Sequence, residues 1–240
     1  MAKTAFYIGP SGSGKTSSIR TMNPETTVII NAIGKDLPWR GSAKQYQLIK
    51  TKGEKPNVEW ESGNMVINSH AKAVLAWLSF INDKMPHITD VVIDDNTFIT
   101  SLELLRRKDE KSFDKFNDIA DNFINIATKA KTMRDDIVVH LLHHTRVDGD
   151  GILEDKQVRA ASFGKFVDNN LQTQEAQFTI VFRAEKEVDS SSKNINYVFY
   201  TRDASSTTKT PFGMFEEEKI PNDMKYVSDT IRCYYSEENC

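Results

Sequence analysis

Residues 9–16 have the types and the spacing that are needed to hold a phosphate group. They read Gly-Pro-Ser-Gly-Ser-Gly-Lys-Thr and fit the P-loop pattern, Gly-x-x-x-x-Gly-Lys-Thr, at every position. Glycines let the backbone turn tightly, so that its amide N–H groups face the anion. The ammonium group of Lys15 can reach the β- and γ-phosphates of a nucleotide. The hydroxyl group of Thr16 can bind Mg²⁺, which prefers oxygen ligands.

The sequence on either side of the loop supports this interpretation. An apolar strand is predicted over residues 4–8, directly before the loop, and a helix over residues 16–22, directly after it. The positive end of that helix would strengthen the anion site. The alternative is a glycine-rich turn with an incidental lysine. The predicted nucleotide-binding residues are Gly9, Pro10, Ser11, Gly12, Ser13, Gly14, Lys15, Thr16 and Ser17.

Two aspartates follow the apolar run at residues 91–93. A buried strand that ends in this way delivers a carboxylate beside the metal ion of a P-loop protein. We therefore assign Asp94, together with Thr16, to Mg²⁺. Asp95 is the candidate base that orients an attacking water molecule. The alternative is a strand end capped by acids that face the solvent.

A third polar strand end is formed by His143 and His144, which follow the apolar residues 137–142. In P-loop ATPases with a strand between the P-loop strand and the acidic strand, a polar residue at the tip of the middle strand contacts the γ-phosphate. Either histidine suits this role. A zinc site is disfavoured because no cysteine or carboxylate nearby completes a ligand set. A plain pair of surface histidines remains open.

The remaining pattern predicts an α/β fold. Further strands are predicted at residues 27–31, 91–93 and 137–142, helices at residues 69–82 and 113–133, and a β-hairpin at residues 178–202. Strands that alternate with helices favour a mainly parallel, twisted sheet with helices on both faces. The chain is predicted to form one domain, residues 1–240, of which residues 203–240 are a C-terminal extension.

Composition limits what the surface can bind. The chain has 240 residues and a formal net charge of −3, so that any DNA binding must come from a local basic patch. No apolar run approaches the length of a membrane span, and the N-terminal residues lack the apolar core of a signal peptide. Cys233 and Cys240 belong to no Cys-x-x-Cys pair and are expected to be reduced. These features favour a cytoplasmic protein without a membrane partner.

The sequence resembles the phage-encoded nucleotide-binding proteins with a RecA-like core, some of which act in single-strand annealing and recombination. The resemblance covers nearly the whole chain. Besides the P-loop and residues 91–95, it is carried by Lys-Asp-Leu-Pro-Trp-Arg-Gly at 35–41, Leu-His-His at 142–144, Phe-Gly-Lys at 163–165, Thr-Arg at 201–202, Thr-Lys-Thr-Pro-Phe-Gly-Met-Phe at 208–215 and Ile-Pro-Asn-Asp at 220–223. It implies an Mg²⁺-dependent ATPase in an infected bacterial host. It also implies a homo-oligomer that binds ATP near its subunit interfaces.

One part of the sequence departs from RecA itself. RecA carries a catalytic glutamate just past its second strand, whereas residues 31–33 read Asn-Ala-Ile here and no acid precedes Asp36. Asp95 therefore becomes the candidate base. The resemblance also implies that a cation of a neighbouring subunit touches the γ-phosphate, as an arginine finger does. Arg202 and Lys209, which follow the hairpin, are the candidates, and solvated surface cations are the alternative.

RecA-like proteins commonly hold single-stranded DNA with flexible loops after the fourth and fifth strands. Residues 145–166 fit this position. The candidate DNA contacts in this stretch are Arg146, Arg159, Phe163 and Lys165. The stretch contains as many acidic as basic residues, so that a polar loop without a role in nucleic-acid binding is the alternative.

Three functions are compatible with these observations. The first is an ATPase of phage DNA recombination or replication that works as an oligomer on single-stranded DNA. The second is an assembly module that is switched by ATP and hydrolyses little of it, as the missing acid after residue 31 favours. The third is a small nucleotide kinase. Such kinases carry an arginine-rich lid, whereas Arg106 and Arg107 precede a long amphipathic helix.

Overall fold

A computed structural model describes residues 1–54, 57–112, 114–148, 157–161, 174–189 and 193–236. The strands are β1 (Lys3–Gly9), β2 (Thr27–Asn31), β3 (Lys50–Lys52), β4 (Glu59–Ser62), β5 (Met65–Ile67), β6 (Asp90–Asp94), β7 (Val138–Asp148), β8 (Gln157–Ala160), β9 (Ile180–Val188), β10 (Ile195–Tyr200) and β11 (Lys219–Pro221). The α-helices are α1 (Ser42–Gln45), α2 (Ala71–Lys84), α3 (Thr97–Arg106), α4 (Asp114–Lys131) and α5 (Met224–Tyr235). Two 3₁₀ helices cover Thr16–Thr21 and Gln174–Gln177.

One large sheet organises the chain. Its strand order is β11-β10-β9-β1-β7-β6-β2-β5, and β8 pairs with β7 outside that order. The strands from β9 to β5 in this order are all parallel, whereas β10 runs antiparallel to both of its neighbours. Since parallel strands end at the same edge of a sheet, the segments that follow β1 and β6 meet there, beside β7.

Side chains alternate between the two faces of this sheet. On β1, Phe6 and Ile8 face a core shared with α2 and α4. Ala5 and Tyr7 face the other core, which is shared with α5 and the first 3₁₀ helix. Helices thus cover both faces. The predicted α/β fold, with a mainly parallel sheet and the hairpin β9–β10, is confirmed.

Several local features differ from the sequence-based predictions. The predicted helix after the P-loop is a short 3₁₀ helix, and α3 and α5 were not predicted. β7 continues to Asp148, and its last residues pair antiparallel with β8. The stretch 145–166 is therefore a β-ladder in part rather than a loop throughout, and Arg146 lies opposite Arg159 in it. Phe163 and Lys165 lie outside the described residues.

The state of Cys233 contradicts the expectation of reduced thiols, because this residue is disulfide-bonded. Cys240 lies outside the described residues. Within the part of the chain that the structure describes, no helix is long and apolar enough to cross a membrane.

A buried polar network ties β1, β6 and β7 to α5. Asp90 Oδ2 pairs with Arg232 Nη2 at 2.9 Å, and Asp90 Oδ1 accepts a hydrogen bond from Ser228. His140 Nε2 lies 3.4 Å from Asp90 Oδ1, and the Tyr7 hydroxyl group lies 2.9 Å from His140 Nδ1. Burial acts to raise the pKa of Asp90. The interactions with His140, Arg232 and Ser228 outweigh burial and lower this pKa to about 2.

We expect Asp90→Ala to lower the free energy of unfolding by about 3 kcal/mol, because it leaves buried partners without their acid. Asp135→Ala, at an exposed position, should change it by less than about 0.5 kcal/mol. The folded-state pKa of Asp90 lies below its unfolded-state value, so that its contribution is present at neutral pH and is lost as the pH falls toward about 2. Urea unfolding measures both effects. A loss for Asp90→Ala that is no smaller at about pH 3 than at about pH 7 contradicts this account.

Candidate nucleotide-binding site

The P-loop leaves the carboxyl end of β1 and leads into the first 3₁₀ helix. Gly12 and Gly14 have φ angles of 78° and 89°, in the left-handed region that favours glycine. A Cβ atom on Gly9 would lie 2.6 Å from Ser13 Oγ and 2.7 Å from the carbonyl oxygen of Ala184. The shape of this backbone therefore requires the glycines of the motif.

Lys15 is buried within the loop. Its Nζ atom donates hydrogen bonds to the carbonyl oxygens of Gly9 at 2.7 Å and Pro10 at 3.0 Å. Burial lowers the pKa of Lys15 to about 8, although the charges of Asp95 and Asp94 act in the opposite direction. A phosphate bound in the loop would offset this cost of burial, because it supplies negative charge beside the ammonium group.

Thr16 and Asp94 are brought together, as a shared Mg²⁺ ion requires. The Thr16 hydroxyl group donates to Asp94 Oδ1 at 3.0 Å, and the backbone N–H of Asp95 donates to the same oxygen at 3.0 Å. Asp94 is buried at the end of β6. Burial, together with the neighbouring charge of Asp95, raises the pKa of Asp94 to about 7. A cation at this position would favour the ionised carboxylate.

The hydroxyl and carboxylate oxygens of Thr16 and Asp94 suit Mg²⁺. Protein sites for this ion usually supply one or two side-chain oxygens, and phosphate oxygens and water complete the octahedron. Among the described residues, no group of three or more His, Cys, Asp or Glu side chains is placed to hold a metal ion.

Asp95 is held from two sides. It has a φ angle of 57°, which is uncommon for a residue with a side chain. Lys35 Nζ lies 3.1 Å from Asp95 Oδ2, and His144 Nε2 lies 3.2 Å from Asp95 Oδ1. Burial acts to raise the pKa of Asp95, but the hydrogen bonds from His144 and Lys35 outweigh it, and the pKa lies below its ordinary value. The carboxylate is therefore ionised at neutral pH and can accept a hydrogen bond.

The two histidines on β7 have different surroundings. His143 is fully buried, its Nε2 atom donates to the carbonyl oxygen of Ala161 at 2.7 Å, and its Nδ1 atom lies 3.2 Å from Asn96 Nδ2. Burial lowers the pKa of His143 to about 3 and keeps it neutral. His144 is partly exposed and faces Asp95. Of the two candidates for a γ-phosphate contact, the structure places only His144 beside the loop.

A cavity of about 200 Å³ lies between the P-loop and Asp95. It is lined by residues 11–17, Lys35, Pro38, Asp95 and His144. The sequence-based site did not include Lys35, although this residue opens the segment 35–41 on which part of the resemblance rests. Its position follows from the sheet, because β2 and β6 are neighbours and the chain after β2 therefore runs beside the end of β6.

Arg202 and Lys209 make contacts away from the P-loop of the same chain. Arg202 donates hydrogen bonds to the carbonyl oxygens of Phe215 at 3.4 Å and Glu216 at 2.6 Å. The main chain of Lys209 pairs with Val181, which lies in register with Phe6 in the middle of β1. A contact with the γ-phosphate of a neighbouring subunit therefore stays a prediction for both residues. The same holds for DNA contacts of the paired arginines on β7 and β8.

Comparisons with known proteins concern the fold. No family model matches the chain, and no curated protein matches it. Among solved structures, the chain is similar to a KaiC-like protein of the hyperthermophilic archaeon Pyrococcus horikoshii, with a TM-score of 0.45 and 12% sequence identity over 82% of this chain and 77% of that one. The strand order and the loop at the end of β1 define an α/β protein with a P-loop, in which one strand, β7, separates the P-loop strand β1 from the acidic strand β6.

We expect Asp94→Asn to raise the free energy of unfolding of the ligand-free protein by about 1–3 kcal/mol at about pH 8. The reason is that it removes a buried carboxylate whose pKa is raised to about 7, while the amide oxygen can still accept the bond from Thr16. The gain should shrink as the pH falls below about 7 and disappear below about pH 3, where this carboxyl group is protonated in both the folded and the unfolded chain. Denaturant unfolding at the two pH values measures it.

The same variant tests the metal assignment. Adding ATP with Mg²⁺ should stabilise the unmodified protein and the exposed-site control Asp135→Asn against heat, but should stabilise Asp94→Asn much less. Thermal unfolding with and without Mg²⁺ provides the measurement. An undiminished response of Asp94→Asn to Mg²⁺ and ATP would exclude Asp94 as a ligand of the ion.

Proposed function

We propose that the chain binds ATP with Mg²⁺ at the P-loop and hydrolyses it. The observation that carries the proposal is the hydrogen bond between Thr16 and Asp94, directly after a buried Lys15. It joins the loop that can hold phosphates to the carboxylate that can hold their metal ion. A glycine-rich turn with an incidental lysine gives no reason for this contact.

Hydrolysis would follow from the position of Asp95. Its carboxylate can orient a water molecule toward the γ-phosphorus and accept the proton that this molecule loses. As the new P–O bond forms, the bond from the γ-phosphorus to the bridging oxygen breaks and ADP leaves with that oxygen. Lys15 and the backbone N–H groups of the loop stabilise the negative charge on the phosphate oxygens. When bound, Mg²⁺ neutralises part of the same charge.

For Asp95 to accept a proton from water, Lys35 would have to move away from its carboxylate or bind the γ-phosphate instead. Its side chain is 61% exposed, so that it can move away from Asp95, and His144 remains as a partner of the buried Asp95 carboxylate. An incoming γ-phosphate offers it a second anionic partner in the same cavity. Lys35 and His144 each contact one oxygen of the candidate base.

The finer role that we propose is an ATPase of phage DNA recombination or replication, acting as a homo-oligomer on single-stranded DNA. The sequence resemblance to phage proteins with a RecA-like core supports it. In such an oligomer, Arg202 or Lys209 of one subunit would reach the γ-phosphate held by the next. Arg146 and Arg159, which face each other across β7 and β8, would contribute to a local basic surface despite the net negative charge.

A second candidate is an ATP-switched assembly module with little turnover. It is favoured by the double engagement of Asp95 and by the lack of an acid between β2 and Asp36. The kinase alternative gains no such support. Arg106 donates hydrogen bonds to Ser69, and Arg107 is paired with Glu110 and Asp118, so that both arginines are engaged in contacts away from the P-loop.

We expect Lys15→Ala to weaken ATP binding by about tenfold or more and to lower turnover by about 100-fold, because it removes the ammonium group from the phosphate site. Lys84→Ala, at the exposed end of α2, is the matched control and should leave both quantities unchanged. Equilibrium binding and phosphate release, each with and without single-stranded DNA, are the measurements. Unchanged turnover in Lys15→Ala would remove the P-loop from the mechanism.

A second variant separates hydrolysis from switching. Asp95→Asn should lower turnover by about 100-fold or more while ATP affinity stays within about threefold, because a base acts in the chemical step rather than in binding. If the unmodified protein binds ATP tightly but releases no phosphate with or without single-stranded DNA, the switch is the correct function. Stimulation of turnover by single-stranded DNA would support the proposed place in recombination.

A further inference from the structure

The two sides of the P-loop differ in what they offer a nucleotide. On one side of β1 lie β7 and β6, which carry His144, Asp94 and, directly after it, Asp95. On the other side lie β9 and β10. The loop holds the phosphate chain between these two sides. A triphosphate whose terminal phosphate points to the aspartates therefore directs its nucleoside toward β9 and β10.

An open cavity of about 480 Å³ lies on this second side, between β10, β11 and Arg20 of the first 3₁₀ helix. It adjoins the P-loop directly. A Cβ atom on Gly14 would lie 2.7 Å from the ring of Tyr197, and Asn222 Nδ2 donates to the carbonyl oxygen of Gly14 at 3.2 Å. Asn222 Oδ1 accepts from Arg20 Nη1 at 3.1 Å. The wall of the cavity and the phosphate loop are thus one connected structure.

Tyr197 is the side chain in this cavity that suits an aromatic ligand best. Its ring reaches Gly14 at one edge and is nevertheless 42% exposed. Ile195, two residues earlier on the same face of β10, is 54% exposed and extends the apolar surface. Arg20, which also lines the cavity, supplies a planar guanidinium group. An apolar ring face next to polar groups matches a nucleoside, which joins a flat aromatic base to a hydroxylated sugar.

We propose that this cavity is the nucleoside subsite of the P-loop and that the Tyr197 ring stacks on the base of the bound nucleotide. The proposal rests on the proposed function, because the position of the triphosphate fixes that of the nucleoside. Asn222 fixes the wall of the cavity to the loop, because its amide donates to Gly14 and accepts from Arg20. The exposed ring of Tyr197 supplies stacking, which every base permits.

The experiment compares Mg²⁺-ATP with Mg²⁺-tripolyphosphate, which has the three phosphates but no nucleoside. Calorimetry gives the affinity of each ligand for the unmodified protein, Tyr197→Ala, Tyr197→Phe and a control, Tyr235→Ala. Tyr235 is also 40% exposed, but it lies beside Lys3 at the start of β1, far along the strand from the loop. We expect Tyr197→Ala to weaken ATP binding by about 5- to 150-fold and to leave tripolyphosphate binding unchanged.

Tyr197→Phe keeps the aromatic ring and should bind ATP like the unmodified protein, as should Tyr235→Ala. Equal losses for ATP and tripolyphosphate in Tyr197→Ala would show that the ring only shapes the P-loop, and unchanged affinity for ATP would place the base elsewhere. Either result overturns the subsite. An unmodified protein that binds neither ligand would refute the proposed function itself. Binding of tripolyphosphate without binding of ATP would refute the subsite alone.

Discussion

Thr16 and Asp94 can meet only because β1 and β6 run parallel in one sheet with a single strand, β7, between them. Neighbouring strands lie about 4.8 Å apart, so that the segment after β1 must lean across the end of β7 to reach the acid. A slip of one residue between β1 and β7 would turn each β1 side chain to the wrong face and move the loop along the sheet. The register of the parallel strands therefore governs every other contact in the site.

The buried acids at the two ends of β6 have pKa values that are shifted in opposite directions. At the edge where β6 begins, Asp90 has a basic partner and hydroxyl donors, and its pKa is lowered. At the edge where β6 ends, Asp94 is equally enclosed but has a second acid beside it, and its pKa is raised. The first arrangement stabilises the fold. In the second arrangement the ionised form of Asp94 is destabilised, and a bound cation would stabilise it. Such a perturbed carboxyl group is typical of a ligand-binding site.

The sequence was most informative where one residue type or one apolar run decided the local structure. Buried parallel strands are continuous apolar runs, so that β2 and β6 were placed within a residue of their ends. The contact of Lys35 with Asp95 was not foreseen, because it joins residues 60 positions apart and depends on β2 lying beside β6. The choice between His143 and His144 also needed the packed structure, since adjacent strand residues face opposite sides and only the core determines which side is filled.

Gly14 is the point where three distant parts of the chain converge: the loop itself, the hairpin through Tyr197, and the start of α5 through Asn222. The shape of the P-loop therefore depends on contacts with the hairpin and with Asn222 as well as on the residues of the motif. A related chain that kept all the motif residues but shortened this hairpin would lose the wall against which the loop is formed. Motif searches alone would not reveal that loss, and positions 197 and 222 should accordingly vary together during evolution, while position 14 stays glycine.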